Sequence, residues 1–142
     1  MKTPGPPAPR TVTALLVVTA AGTLAYWTAF FAAGGTLHSS ETDAYLAFEH
    51  AFPAADAWMA TAALSGASAL ARRRPWAVLA GIATGSALIF IGLLDVLFNV
   101  EQGLYRAPSG AMAVEVVINA FCLVVGPFFL FYFWRYRERL GA

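Results

Sequence analysis

From residue 11 to residue 33 this chain carries no charged side chain. A run of that length suffices for one helix to cross a bilayer, which takes about 20 apolar residues. Three further runs follow, over residues 53–71, 76–100 and 111–134, each interrupted by no more than one acidic residue. A soluble fold would have to hide all four stretches. With only 12% charged residues against 59% hydrophobic ones in 142 residues, it lacks the polar surface to do so. The bilayer is therefore the expected solvent. The expected fold class is an all-α integral membrane protein, an up-down bundle of four transmembrane helices, because short connections make neighbouring spans antiparallel.

The first run has a rival reading as a secretory signal, with Lys2 and Arg10 ahead of an apolar core. It continues through Ala29, Phe30 and Phe31, well past the roughly 7–15 residues of a signal core, and reads as a retained span. Ahead of it, Pro4, Pro6, Pro7 and Pro9 predict a disordered tail over residues 1–10. Behind the last span, residues 136–142 read as a basic tail.

The cations set the expected orientation. If the spans alternate, Lys2, Arg10, Arg72, Arg73, Arg74, Arg135, Arg137 and Arg139 share one side and only Arg106 falls on the other. That bias places both termini in the cytoplasm and points to the cell membrane as the location. It also accounts for the arginines without nucleic acid. Aromatics agree in depth, with Trp76, Tyr132, Trp134 and Tyr136 near the inner interface and Tyr26, Trp27, Trp58 and Tyr105 near the outer one. Gly81 and Gly85 form a small-xxx-small surface that suits close helix approach, either to Ser65-Gly66-Ala67-Ser68 or to a second copy in a homo-oligomer.

Seven of the eight acidic residues belong to the outer side: Glu41, Asp43, Glu49, Asp56, Asp95, Glu101 and Glu115. Glu41 and Asp43 suit a solvated loop or the cap of a helix beginning near Thr42. Those at membrane depth need more, because an unpaired charge in hydrocarbon costs several kcal/mol. Asp95 lies about 8 Å below the outer end of its span at 1.5 Å per residue. Asn99 follows one turn further out. Glu115 and Asn119 repeat the spacing on the next span, so an antiparallel pair sets Asp95 level with Asn119 and Asn99 level with Glu115.

Glu49 and Asp56 lie two turns apart, with His50 beside them, in a segment where Tyr45, Phe48 and Phe52 recur at helical spacing. Pro53 should kink this segment as it enters the second span. The expected site is a pocket in the outer half of the bundle. Glu49, Asp95 and Glu115 would supply acid–base chemistry there, and Asp56, Asn99, Asn119, His50, Trp58 and Tyr105 would contact the ligand. The competing reading is structural, with amides and acids joining helices at about 1 kcal/mol per hydrogen bond.

Function follows from what such a site can reach. A protonated acid beside an ionised one is a general acid–base pair, and membrane lipids and lipophilic small molecules are the substrates within reach. Cofactor-free isomerisation, hydration or cyclisation of an isoprenoid-like molecule is the leading expectation. A proton-coupled transporter or an accessory subunit is the alternative. No cofactor is required. The lone Cys122 excludes an internal disulfide and a CxxC redox pair. His38 and His50 lie outside the spans and lack HxxxH spacing, so neither haem nor a metal is called for. The four-helix layout with outer acidic residues is broadly similar to that of emopamil-binding-type membrane proteins, which bind sterols and some of which isomerise them. None of their motifs is matched residue by residue.

Overall fold

The computed structural model describes residues 9–140. These form an all-helical chain: α1 (Pro9–Ala32), α2 (Asp43–Glu49), α3 (Phe52–Ala71), α4 (Ala77–Glu101), α5 (Gly110–Arg135) and α6 (Arg137–Leu140). No strand occurs among the described residues. Most of the expected N-terminal tail lies outside them, but Pro9 and Arg10 already belong to α1. Proline suits that first position, where no amide hydrogen is needed. Within the expected basic tail, residues 137–140 coil into α6 and bury Leu140 against α4 and α5.

Local chemistry sets the breaks. Gly34 and Gly35 take positive φ values of 55° and 88° just after α1. Thr42 caps α2, its hydroxyl accepting from the Tyr45 amide at 3.3 Å. The expected kink at Pro53 is a full break: α2 stops at Glu49 and α3 starts anew at Phe52. Pro53 cannot donate to the Glu49 carbonyl, so the last bond that would join the two helices is missing. Ser109 caps α5, accepting from the Met112 amide at 3.0 Å. Pro127 sits within α5, which nevertheless continues to Arg135.

Three helices, α1, α4 and α5, are long and apolar enough to cross a membrane. The 20-residue α3 is less apolar because it packs between α1 and α4. Ten of its residues are buried, most of them alanine or glycine. A helix touched by protein on two sides needs small residues for close approach more than it needs greasy ones.

Neighbours run antiparallel. Gly66 of α3 faces Leu16 of α1 and Ala80 and Gly81 of α4, while Trp27 of α1 reaches Asp56 at the other end of α3. The α4–α5 seam is tighter still. A Cβ at Gly85 would lie 2.7 Å from the Gly126 carbonyl oxygen, and one at Gly92 would lie 2.9 Å from Cys122 Cβ. Gly81 is closed off by the Phe133 ring. Gly81 and Gly85 are therefore buried inside the chain against α5, which leaves them no free surface for a second copy. From the Ser65–Ser68 stretch, Gly66 and Ala67 are buried, Gly66 against Gly81 and Ala67 in the core.

Helix order in space follows chain order, and α5 does not fold back onto α1 along its length. The bundle is thus open along one side, between its first and last long helices.

Candidate functional site

A cavity of about 260 Å³ occupies that opening. All four long helices and the end of α2 line it. Its body is apolar, with Met59, Leu88, Ile91 and Ile118 among the walls, and its polar groups are contributed by Glu49, Asp56, Asp95, Glu115 and Asn119. Val18 on α1 and Val117 on α5 line it too, and they stay 55% and 68% exposed. Apolar, exposed side chains thus flank the gap between these two membrane-length helices.

Helical periodicity brings the acidic residues together. Asp95 and Asn99 share one face of α4, and Glu115 and Asn119 share one face of α5. The close α4–α5 seam then sets the two faces side by side. Asn99 Nδ2 donates to Glu115 Oε2 at 3.0 Å, and the Asn119 amide lies beside Asp95. The second contact falls short of full hydrogen-bond geometry and leaves Asn119 Nδ2 without a partner, although the residue is only 4% exposed.

Glu115 is held at its other oxygen as well. Tyr45 Oη donates to Glu115 Oε1 at 2.7 Å and itself accepts from the Ser39 amide at 3.1 Å. Tyr45 is 1% exposed, so α2 is fastened over the cavity by a buried polar bond. Trp27 Nε1 donates to Asp56 Oδ2 at 2.6 Å, leaving Asp56 Oδ1 buried and unpartnered.

The expected site residues therefore divide. Glu49, Asp56, Asp95, Glu115 and Asn119 all line the cavity. Asn99 stands behind it, buried, and acts through Glu115. His50 is exposed and stacks on Phe31 with ring centroids 5.8 Å apart. Trp58 is 64% exposed on α3, and Tyr105 is exposed in the turn after α4. These three do not line the cavity, because their helical or loop positions turn them outward. Tyr26, Trp27 and Thr19 of α1 line the cavity and were not expected there. The long connection between α1 and α3 conceals their register from the sequence. Among the described residues, no group of three or more His, Cys, Asp or Glu side chains is placed to hold a metal ion.

Burial pushes the Glu49 carboxyl up to about 8, with the neighbouring Asp95, Glu115 and Asp56 charges adding to the rise. Burial likewise pushes the Tyr45 phenol upward, as does its bond to Glu115. For Glu49 the consequence for stability has a definite sign. The folded protein keeps a proton that the unfolded chain loses, so stability is full below the ordinary glutamate range and falls as pH rises from about 5 to about 8. Thermal melts in detergent should show a falling midpoint over that window, with a shallower fall in Glu49→Gln. Parallel curves for the two proteins would show that Glu49 is not the group responsible.

No family model matches the chain, and no curated protein or solved structure matches it.

Proposed function

We propose that this protein binds a lipophilic small molecule in the laterally open cavity and that the carboxyl cluster exchanges protons with it. The observation that carries this reading is an apolar cavity, open between α1 and α5, with four carboxyl groups and an amide lining it. A ligand dissolved in the bilayer enters sideways and places its polar group among the acids. Cofactor-free isomerisation, hydration or cyclisation is the chemistry that such a cluster favours. Glu49 has no donor like those on Glu115, and Asp95 has only the imperfect contact with the Asn119 amide, so they are the groups best suited to give and take a proton.

In this reading α3 is a fourth span, accepted by the membrane because α1 and α4 cover it. The chain then has both termini in the cytoplasm of a cell membrane. Support comes from Arg10, Arg72, Arg73, Arg74 and Arg135, which lie at one end of the antiparallel helices, opposite the acids.

A proton-coupled carrier is the second reading. It is favoured by Tyr45, whose hydroxyl joins Glu115 in the cavity to Ser39 in the outer connection. It predicts substrate-driven proton flux in liposomes.

Native mass spectrometry on protein from mild detergent tests the binding. Wild type should retain a discrete small molecule that Asp95→Ala loses. If both proteins carry only bulk lipid, the pocket reading fails. Once a substrate is in hand, Asp95→Asn should abolish turnover with the protein folded. Full activity in both Asp95→Asn and Glu115→Gln would remove the acid–base mechanism.

A further inference from the structure

We infer that the ligand of this cavity is a lipophilic cation, its ammonium-type head seated among Glu49, Asp56, Asp95 and Glu115 and its apolar body along Met59 and Leu88. The inference rests on the reading of the cavity as a ligand pocket and names the chemical class it takes.

The first observation is charge. Four carboxyl groups line one cavity, and no lysine, arginine or histidine lines it with them. Among the described residues, the arginines gather at the other end of the helices, apart from Arg106 in an exposed turn; His38 and His50 lie in the connections around α2 and do not line the cavity. Among the described residues, no basic side chain lines the cavity to neutralise the cluster. A buried acid group left without a cation holds protons or recruits positive charge from outside.

The second observation is independent of the first. Asp56 is 8% exposed, its Oδ2 is occupied by Trp27, and its Oδ1 has no partner. A buried acceptor of this kind loses its water without compensation unless a donor enters beside it. The indole ring of Trp27 and the ring of Tyr26 line the same cavity, and aromatic faces suit a cation.

A neutral hydroxyl head is the nearest rival. It would donate to Asp56 Oδ1 and accept from Asn119 Nδ2. It satisfies two hydrogen bonds but offsets none of the acidic charge, whereas a cation interacts with all four carboxyls at a depth where salt screens little. The cation also has a proton to displace. Glu49 faces Asp56 on α3, Asp95 on α4 and Glu115 on α5, with Tyr26 of α1 and Tyr45 of its own helix nearby. An arriving ammonium group stabilises the ionised Glu49 carboxylate, and the proton passes to water.

A matched pair of probes separates the cases. Decylamine and decan-1-ol share a chain and differ only in the head. Both would be added at equal bilayer mole fraction to wild-type protein in phosphatidylcholine nanodiscs, and occupancy read by native mass spectrometry. At neutral pH the amine should bind at least tenfold more tightly than the alcohol, and its affinity should rise between pH 6 and pH 8. Asp56→Asn keeps an oxygen for Trp27 and removes the charge, so it should cut the preference to threefold or less. Glu49→Gln should flatten the pH dependence. Equal binding of the two probes, or tighter binding of the alcohol, would overturn the cation while leaving the pocket in place. Binding of neither would overturn the pocket and the cation together.

Discussion

Gly85→Leu is expected to yield no folded protein, and Gly85→Ala to lower the melting midpoint by about 5 °C or more. The reason lies in what surrounds this position. A Cβ there would stand 2.7 Å from the Gly126 carbonyl oxygen, 3.1 Å from the Leu130 amide nitrogen and 3.1 Å from Phe129 Cβ. Two of these are backbone atoms, which cannot rotate aside as a side chain can. One helix must therefore retreat, and the retreat separates Asn99 from Glu115 further along the same seam. Gly126 answers Gly85 across the interface, with its own Cβ position 3.0 Å from the Gly85 carbonyl oxygen. Gly22 on α1 is the control, since a Cβ there meets nothing within 4 Å. Gly22→Ala should melt at or slightly above the wild-type temperature, because alanine is the better helix former by up to about 1 kcal/mol. A Gly85→Ala protein melting with the wild type would show that the seam has slack.

Glu115→Ala should be the most damaging change among the polar groups. It strands two buried donors at once, the Tyr45 hydroxyl and the Asn99 amide. Each uncompensated group costs about 1–3 kcal/mol, and together they remove a large share of an ordinary domain's stability. The loss also releases α2, whose buried Tyr45 is fastened by this bond. Glu115→Gln keeps one acceptor oxygen and should fall between wild type and alanine. Tyr45→Phe should resemble it, stranding one Glu115 oxygen and the Ser39 amide. Thermal melts of the series give the order wild type, then Gln and Phe, then Ala. An alanine variant as stable as wild type would mean that Glu115 does not hold α2 in place.

Much of this arrangement was legible in the sequence where periodicity and depth act together. Asp95, Asn99, Glu115 and Asn119 announce a shared level because two helices joined by a short turn have little freedom in register. The turn at Gly103, with φ of 67°, and the cap at Ser109 keep that turn tight. Trp27 and Tyr45 were harder to place. Trp27 read as an aromatic of the outer interface and Tyr45 as one of several aromatics at helical spacing, yet each spends its polar atom on a buried carboxylate. About twenty residues separate α1 from α3, and a connection that long leaves the relative rotation of the two helices free. Trp58 fails for the opposite reason: it lies two residues beyond Asp56, which on a helix is the far side. The fate of Gly81 and Gly85 depended on which neighbour claimed them, and small residues do not name their partner.

On the proposed reading, the gap between α1 and α5 changes what an affinity for this protein means. A pocket that opens to lipid exchanges its contents with the acyl chains around it, so binding is a replacement of lipid by ligand. Occupancy then follows the ligand's mole fraction in the bilayer, and adding protein-free vesicles to a fixed aqueous dose dilutes the ligand and empties the site. A compound that partitions tenfold more strongly will look tenfold more potent in aqueous units with no better contact to a single residue.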